Sequence, residues 1–265
     1  MQWWLHFGIN HKGALANKNQ NTFTLREEIK STRSKCYICM RPSSSCICKH
    51  TNPIQTNTRF IILMHPKEYK YEKNGTGRMT KLQLENSEII VGVDFTENKR
   101  VNEILNNKAN SSFLLYPGKE NFNLSLRNGA EINSFMGTNP CIFVLDGTWP
   151  CARKMLKLST NLQQLQRVSF DNEIKSKFII KQQPESLCLS TIESVHTVLN
   201  LLNKGELEQC ETEGFLLPFE KMLEYQVECI LNPHNNSYRP STKKVIVTKD
   251  MYKKDTNRNI IFEKE

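Results

Sequence analysis

Short apolar-rich runs, each closed by Pro, Gly or Asp, alternate along this chain with stretches in which apolar residues recur at helical spacing. The runs predict buried strands at Arg59–Met64, Glu88–Val93, Phe113–Tyr116, Ile142–Leu145 and Arg167–Phe170. Runs that are apolar throughout, rather than alternating, fit strands covered on both faces. Ile192, Val195, Val198, Leu199 and Leu202 form one helical stripe, with Ser190 or Thr191 as the cap and Glu193 in the first turn. Further helices are predicted from the Gly77 region to about Leu84, and at Val101–Leu105, Cys151–Leu158 and Phe219–Ile230, with a short one at Leu25–Lys30. Pro150 suits a first helical turn, where its missing N–H costs nothing. Residues 119–139 predict a loop-rich connection, and Val245–Val247 an added strand. There is no internal repeat. Strands alternating with helices predict an α/β fold.

Composition narrows the class. The 265 residues are 38% apolar, enough for one large domain with small appendages. Residues 1–33 read as a polar lead, 34–58 as a cysteine-bearing segment, 59–232 as the main domain and 233–265 as a basic extension. The net charge of +9 suits an acidic partner, nucleic acid before a membrane surface, although a generally Lys- and Asn-rich composition gives the same balance. The extension, with Arg239, Lys243, Lys244, Lys249, Lys253 and Lys254, reads either as a phosphate-binding arm or as a solvated tail. Met1–Phe7 is too short and lacks the basic lead of a signal peptide, and no run reaches the length of a membrane span. Nine cysteines, an odd number with four clustered, fit a reducing, cytoplasmic compartment with a metal site better than a disulfide framework, although four free thiols or two disulfides would also account for the cluster.

Four groups of residues carry candidate chemistry. Cys36 and Cys39, then Cys46 and Cys48, have the spacing of four thiolates converging on one ion, zinc before iron, in a structural role. Asp146-Gly147-Thr148-Trp149 follows the fourth strand and offers a carboxylate, a hydroxyl, a large aromatic and a glycine that lets backbone approach a ligand. A strand-to-helix turn with Asp capping and Trp packing explains the same residues without chemistry. Thr76-Gly77-Arg78, opening a helix, makes an anion or nucleotide loop. Strand ends at His65-Pro66 and Tyr116-Pro117-Gly118 present a ring and a backbone turn. Taken alone, His65 reads as structural and Tyr116–Gly118 equally as an ordinary turn.

Together these segments resemble the DTW-domain family, the tRNA-uridine aminocarboxypropyltransferases. The resemblance rests on C-x-x-C-x-R-P followed by C-x-C, on H-P-x-E from His65, on Thr76-Gly77-Arg78, on D-G-T-W from Asp146 followed by Ala152-Arg153-Lys154, and on L-S-T-I-E from Leu189. The glycine-rich loop reads N-G-T-G-R here, one glycine longer than the family's N-T-G-R. The resemblance implies a SPOUT-like knotted α/β domain that binds S-adenosylmethionine, with zinc held by Cys36, Cys39, Cys46 and Cys48, and tRNA as partner. It implies Asp146 as the catalytic carboxylate, accepting the uridine imide proton or holding the cofactor's ammonium. It places Tyr116, Pro117, Gly118, Leu145, Gly147, Thr148, Trp149, Leu189, Ser190, Thr191 and Glu193 beside the cofactor. His65, Thr76, Gly77, Arg78 and Arg153 fall on the RNA side. A methyltransferase using the same cofactor, an enzyme acting on ribosomal RNA, and a zinc-bearing RNA-binding module without catalysis are the alternatives. Oligomeric state is not legible.

Overall fold

A computed structural model describes residues 34–118, 121–172, 175–178, 180 and 188–232. The expected Leu25–Lys30 helix, the Val245–Val247 strand and the basic extension lie outside the described residues.

Six parallel strands form one sheet: β1 (Arg59–Met64), β2 (Ser87–Val91), β3 (Ser111–Leu115), β4 (Phe122–Asn123), β5 (Pro140–Asp146) and β6 (Gln166–Ser169). Their order is β2-β1-β5-β3-β6-β4. The late strand β5 therefore sits between β1 and β3, pairing Met64 with Asp146 on one side and Leu115 with Val144 on the other. An all-parallel sheet needs helices on both faces. The described helices are α1 (Pro66–Tyr71), α2 (Thr76–Gln83), α3 (Lys99–Asn106), α4 (Gly129–Met136), α5 (Trp149–Leu158), α6 (Thr160–Gln163), α7 (Thr191–Lys204) and α8 (Leu217–Leu231).

Alternation along the strands separates two cores. Phe60, Phe113, Ile142 and Val144 pack with Met79 of α2, Ile132 of α4, the Ile192–Leu202 stripe of α7 and Phe219 and Met222 of α8. Ile61, Leu63, Leu114 and Phe143 face the other way, onto Val101 and Ile104 of α3, Met155 and Leu156 of α5 and Leu162 of α6. All five residues of the predicted α7 stripe are buried.

One sequence expectation is corrected. Residues 119–139 hold strand β4 and helix α4. Helix α4 starts with a reciprocal capping box, in which the Asn128 side chain accepts from the Glu131 N–H at 2.9 Å and the Glu131 carboxylate accepts from the Asn128 N–H at 3.0 Å. His65-Pro66 ends β1 as expected and also starts α1, with Pro66 in the first turn and His65 Nδ1 accepting from the Lys67 N–H at 3.1 Å.

The cysteine segment packs on the first core through Cys39 and Ile47, both buried, and α8 lies against the turn at Cys48–His50. Arg41 ties it to the loop before α2. Its guanidinium is buried and donates to Ser45 O (2.8 Å), Lys73 O (3.0 Å) and Asn74 Oδ1 (2.7 Å). No helix among the described residues is long and apolar enough to cross a membrane.

Candidate active site

In open parallel sheets, ligands sit beyond the carboxyl ends of the strands, where connections diverge. Here β1 leads outward to β2, whereas β3 lies on the far side of β5. A cavity of about 880 Å³ occupies that edge. Four strands feed its walls: Glu68 follows β1, Tyr116 and Pro117 follow β3, Asp146 to Trp149 end β5, and Phe170 to Asn172 follow β6. Leu189, Ser190 and Thr191, at the start of α7, close the remaining side with Cys188 and Phe178.

Asp146 is the centre. It is the last residue of β5 and only 4% exposed. Thr191 Oγ1 donates to its Oδ1 at 2.6 Å, and the His65 N–H donates to its backbone oxygen at 2.8 Å. The first turn of α2 comes against the carboxylate from a third direction. A Cβ at Gly77 would stand 2.5 Å from Asp146 Oδ2 and 2.9 Å from Met64 Cε. Only a residue without a side chain permits that approach.

The D-G-T-W loop continues into α5. Thr148 is the N-cap, and its backbone oxygen accepts from Ala152 N at 2.8 Å while its hydroxyl makes no capping bond. Trp149 stands edge-on to Tyr116, centroids 5.7 Å apart, and its indole N–H donates to Cys188 Sγ at 3.4 Å. Arg167 lies over the outer side of Tyr116, 5.7 Å from the ring centre. Burial raises the Tyr116 phenol pKa, against the pull of Arg153 and Arg167, so the ring stays neutral.

Glu193 belongs one layer behind. Its carboxylate accepts from Ser176 Oγ (2.7 Å), the Lys177 N–H (2.7 Å), the Ser190 N–H (2.9 Å) and Ser190 Oγ (2.5 Å). It thus fixes the Ser190 cap and the 176–177 strap rather than lining the cavity. Of the other sequence candidates, Tyr116, Pro117, Leu145, Gly147, Thr148, Trp149, Leu189, Ser190, Thr191 and Thr76 line the cavity. Gly118 lies under Arg167, where a Cβ would be 2.8 Å from Nη1. His65, Arg78 and Arg153 lie outside the lining, on its rim side. Burial, Lys67 and Lys154 lower the His65 pKa, so its ring is neutral and able to accept from Lys67 N. Sequence reasoning missed Phe170, Asp171, Asn172 and Phe178. For Asp171 and Asn172 the position directly after a predicted strand was the available signal.

The electrostatics are divided. Glu68, Asp146 and Asp171 face the cavity, and no Lys, Arg or His is among its described lining residues. Arg153 and Arg167 lie near Tyr116 in its wall, and Lys67 and Lys154 lie near His65, whose N–H bonds Asp146.

Away from the cavity, the four clustered sulfurs all lie within 4.8 Å of one another. Cys36 and Cys48 are 3.6 Å apart, and Cys39 and Cys46 are 3.8 Å apart. A tetrahedron of thiolates with metal–sulfur bonds of about 2.3 Å has edges of about 3.8 Å, so the set fits one metal ion. The C-x-x-C turn is shaped for it. Met40 takes φ +61°, in the left-handed region, and Cys36 N donates to Arg41 O at 2.8 Å. Backbone N–H groups of Cys39 and Ile38 directed at Cys36 hold its thiol down to about 6.

The DTW-domain profile matches residues 33–227. A mouse protein named tRNA-uridine aminocarboxypropyltransferase 2 is 25% identical over 234 residues, covering 86% of this chain and 73% of the mouse chain. A Drosophila melanogaster protein of the same name is 27% identical over 236 residues, covering 86% of each chain. A Macaca fascicularis protein, again of that name, is 25% identical over 203 residues, covering 74% of this chain and 64% of its own. No solved structure matches the chain. With the D-G-T-W loop at the centre of its cavity and the family match running across three-quarters of its length, the chain belongs to the DTW-domain family.

Proposed function

We propose that the protein is a tRNA-uridine aminocarboxypropyltransferase that moves the 3-amino-3-carboxypropyl group of S-adenosylmethionine to N3 of a tRNA uridine. The observation that carries this is the buried Asp146 carboxylate in an acid-walled cavity whose described lining has no cationic side chain. Such a cavity favours a ligand with a sulfonium and an ammonium. Its size lies in the range of ligand pockets, roughly 300–1,000 Å³. The relatives' names supply the reaction and the acceptor.

When bound, S-adenosylmethionine supplies an electrophilic γ-carbon beside its sulfonium. The N3–Cγ bond forms as the Cγ–S bond breaks, and sulfur keeps the electron pair in the departing methylthioadenosine. The N3 proton passes to Asp146 and then to solvent. Thr191 Oγ1 holds Asp146 for that transfer, at 2.6 Å. Because the methyl and the γ-carbon share one sulfur, the choice between them is positional. Thr148, the Gly147 backbone and Ser190 orient the cofactor, Trp149 and Tyr116 wall the pocket, and Arg153 takes a phosphate on the RNA side. Cys36, Cys39, Cys46 and Cys48 hold zinc in a closed structural site.

The same reading includes a SPOUT-like knotted chain path in the main domain, 59–232, supported by the insertion of β5 between β1 and β3. It keeps residues 1–33 as a lead and 233–265 as a basic extension. Nine free thiols support a cytoplasmic setting.

The test is nucleoside mass spectrometry of unmodified tRNA after incubation with the protein and S-adenosylmethionine. An aminocarboxypropyl gain on uridine with methylthioadenosine released is the expected result. A methyl gain with S-adenosylhomocysteine would replace this reading with a methyltransferase, and activity on ribosomal RNA alone would move the acceptor. In Asp146→Asn, a base role lowers turnover by roughly 10²–10⁴-fold at unchanged S-adenosylmethionine affinity. Weakened cofactor binding would instead make Asp146 the ammonium's partner.

A further inference from the structure

Two chain segments touch Asp146 and meet again farther along. One leaves the His65 amide as α1, and the other leaves Gly77 along α2. Each first contributes a cavity residue, Glu68 and Thr76. Their next outward-facing residues meet. The Arg78 guanidinium lies over the Tyr69 ring, 4.3 Å from its centre, and donates to the Tyr69 backbone oxygen. Tyr69 is 43% exposed, and Tyr71, at the end of α1, is 77% exposed.

An aromatic pair left this open is unusual beside a packed core, because burying a tyrosine ring is normally favourable. Here the rings lie among cations. Lys67, Lys70 and Lys73 are exposed on the same short stretch, and Lys154 is near enough to act on His65. Of the two acids in the stretch, Glu68 is buried toward the cavity, and Glu72 accepts from Asn74 N at 3.3 Å. Aromatic faces interleaved with cations are what unpaired nucleotides need: a π-face for each base and a positive charge for each phosphate.

We propose that α1 and the first turn of α2 form a docking ledge for single-stranded RNA flanking the reacting uridine, with Tyr71 and the Tyr69–Arg78 stack as base platforms and Lys67 and Lys70 as phosphate contacts. The inference rests on the tRNA reading above and adds the surface that presents the nucleotide to it. A uridine must be unstacked before N3 can face Asp146. The ledge starts at the two segments that touch Asp146, so neighbours held there leave the target base at the cavity mouth.

The test is equilibrium binding of a labelled, unmodified tRNA transcript to the full chain with its metal, without S-adenosylmethionine, across about 50–200 mM salt. Tyr71→Ala weakens binding roughly 5- to 150-fold, the effect of losing one base–aromatic stack, and Tyr71→Phe restores it. Lys67→Glu with Lys70→Glu lowers the slope of log affinity against log salt by about 1.4, from a single-strand coefficient of about 0.7 per contact. Lys108→Glu is the control. Lys108 is exposed and precedes β3, at the opposite, amino-terminal edge of the sheet, and its reversal leaves affinity within about twofold. Ledge variants that bind like the wild type, or a Lys108→Glu as weak as they are, overturn the ledge. S-adenosylmethionine affinity and nucleoside transfer by the wild type are measured separately. RNA binding at the ledge without transfer would sink the enzyme reading alone, whereas transfer with ledge variants of unchanged RNA affinity would sink the ledge alone.

Discussion

Gly77→Ala adds one methyl group at the second residue of α2, and the structure puts that methyl against the Asp146 carboxylate, the base of the proposed reaction. The new Cβ would lie 2.5 Å from Asp146 Oδ2, 2.6 Å from its Cγ and 2.9 Å from Met64 Cε. Non-bonded carbon contacts settle near about 3.5 Å, so helix and carboxylate must separate by about 1 Å. Neither can yield easily. Asp146 is the end of the central strand, paired with Met64, and α2 is anchored by buried Met79 and Thr80. The 2.6 Å bond from Thr191 is stretched or broken if the carboxylate gives way. Over-packing of this kind costs about 1–3 kcal/mol, offset by roughly 0.5–1 kcal/mol from replacing Gly with Ala in a helix. The melting temperature should therefore fall only by several degrees, at about 2–4 °C per kcal/mol for a chain of this size. Activity should suffer far more, because about 1 Å of misplacement at a reacting group costs on the order of 10²-fold. The assay is single-turnover transfer with saturating tRNA and S-adenosylmethionine, run beside a thermal melt. Turnover at the wild-type level with a normal melt would refute the reasoning, since it would mean that the approach of α2 to Asp146 has no part in the chemistry.

The remaining predictions concern the metal and the α1 cap. Purified protein should carry one metal ion per chain, and a chelator or Cys46→Ser should lower the melting temperature sharply, because binding in such sites contributes about 10–16 kcal/mol in isolated zinc fingers. Metal-free protein with an unchanged melt would remove the site. The lowered His65 pKa, caused by burial and then by Lys67 and Lys154, also has a thermodynamic sign. The folded state binds fewer protons than the unfolded state, so stability rises with pH up to about 6.5 and is lost as pH falls through the folded value. His196, also lowered mainly by burial, adds to the same slope. His65→Asn keeps a cap acceptor for Lys67 N and removes the His65 share. Melting curves from about pH 5 to 6.5 that keep their full slope in the variant would contradict this.

Strands β1, β3, β5 and β6 and helices α5, α7 and α8 were legible to within a few residues, because the central strands β1 and β5 are apolar through most of their length and the α7 stripe keeps strict helical spacing. Helix α4 was missed because Gly129, Asn133 and Ser134 are weak helix formers and only Ile132 and Met136 are buried in it. Its true signal was Asn128 three residues before Glu131, a pattern of caps rather than of hydrophobicity. The order β2-β1-β5-β3-β6-β4 is not written in any local pattern, since pairing of β5 with both β1 and β3 is a long-range choice. The cavity wall after β6 was missed for the same reason. Phe170 to Asn172 become neighbours of Asp146 only once β6 takes its place beside β3.

In the proposed function, the separation of charge around the site explains how one basic chain could serve two oppositely charged ligands. A net charge of +9 would repel a cationic cofactor if it were spread evenly. The charged residues of the described cavity lining are instead all acids, Glu68, Asp146 and Asp171, while Arg153 and Arg167 lie near Tyr116, Lys67 and Lys154 near His65, and Arg78 over Tyr69. Backbone geometry enforces the division. On α1, Glu68 points inward beside outward Lys67 and Tyr69. On α2, Thr76 lines the cavity and Gly77 meets Asp146, while Arg78 turns to the Tyr69 ring. In the proposed function the acids of the lining oppose the entry of phosphates. Only a neutral group such as an unstacked base can continue to the buried carboxylate without opposing charge, and this selects the base edge over the backbone as the group presented to Asp146.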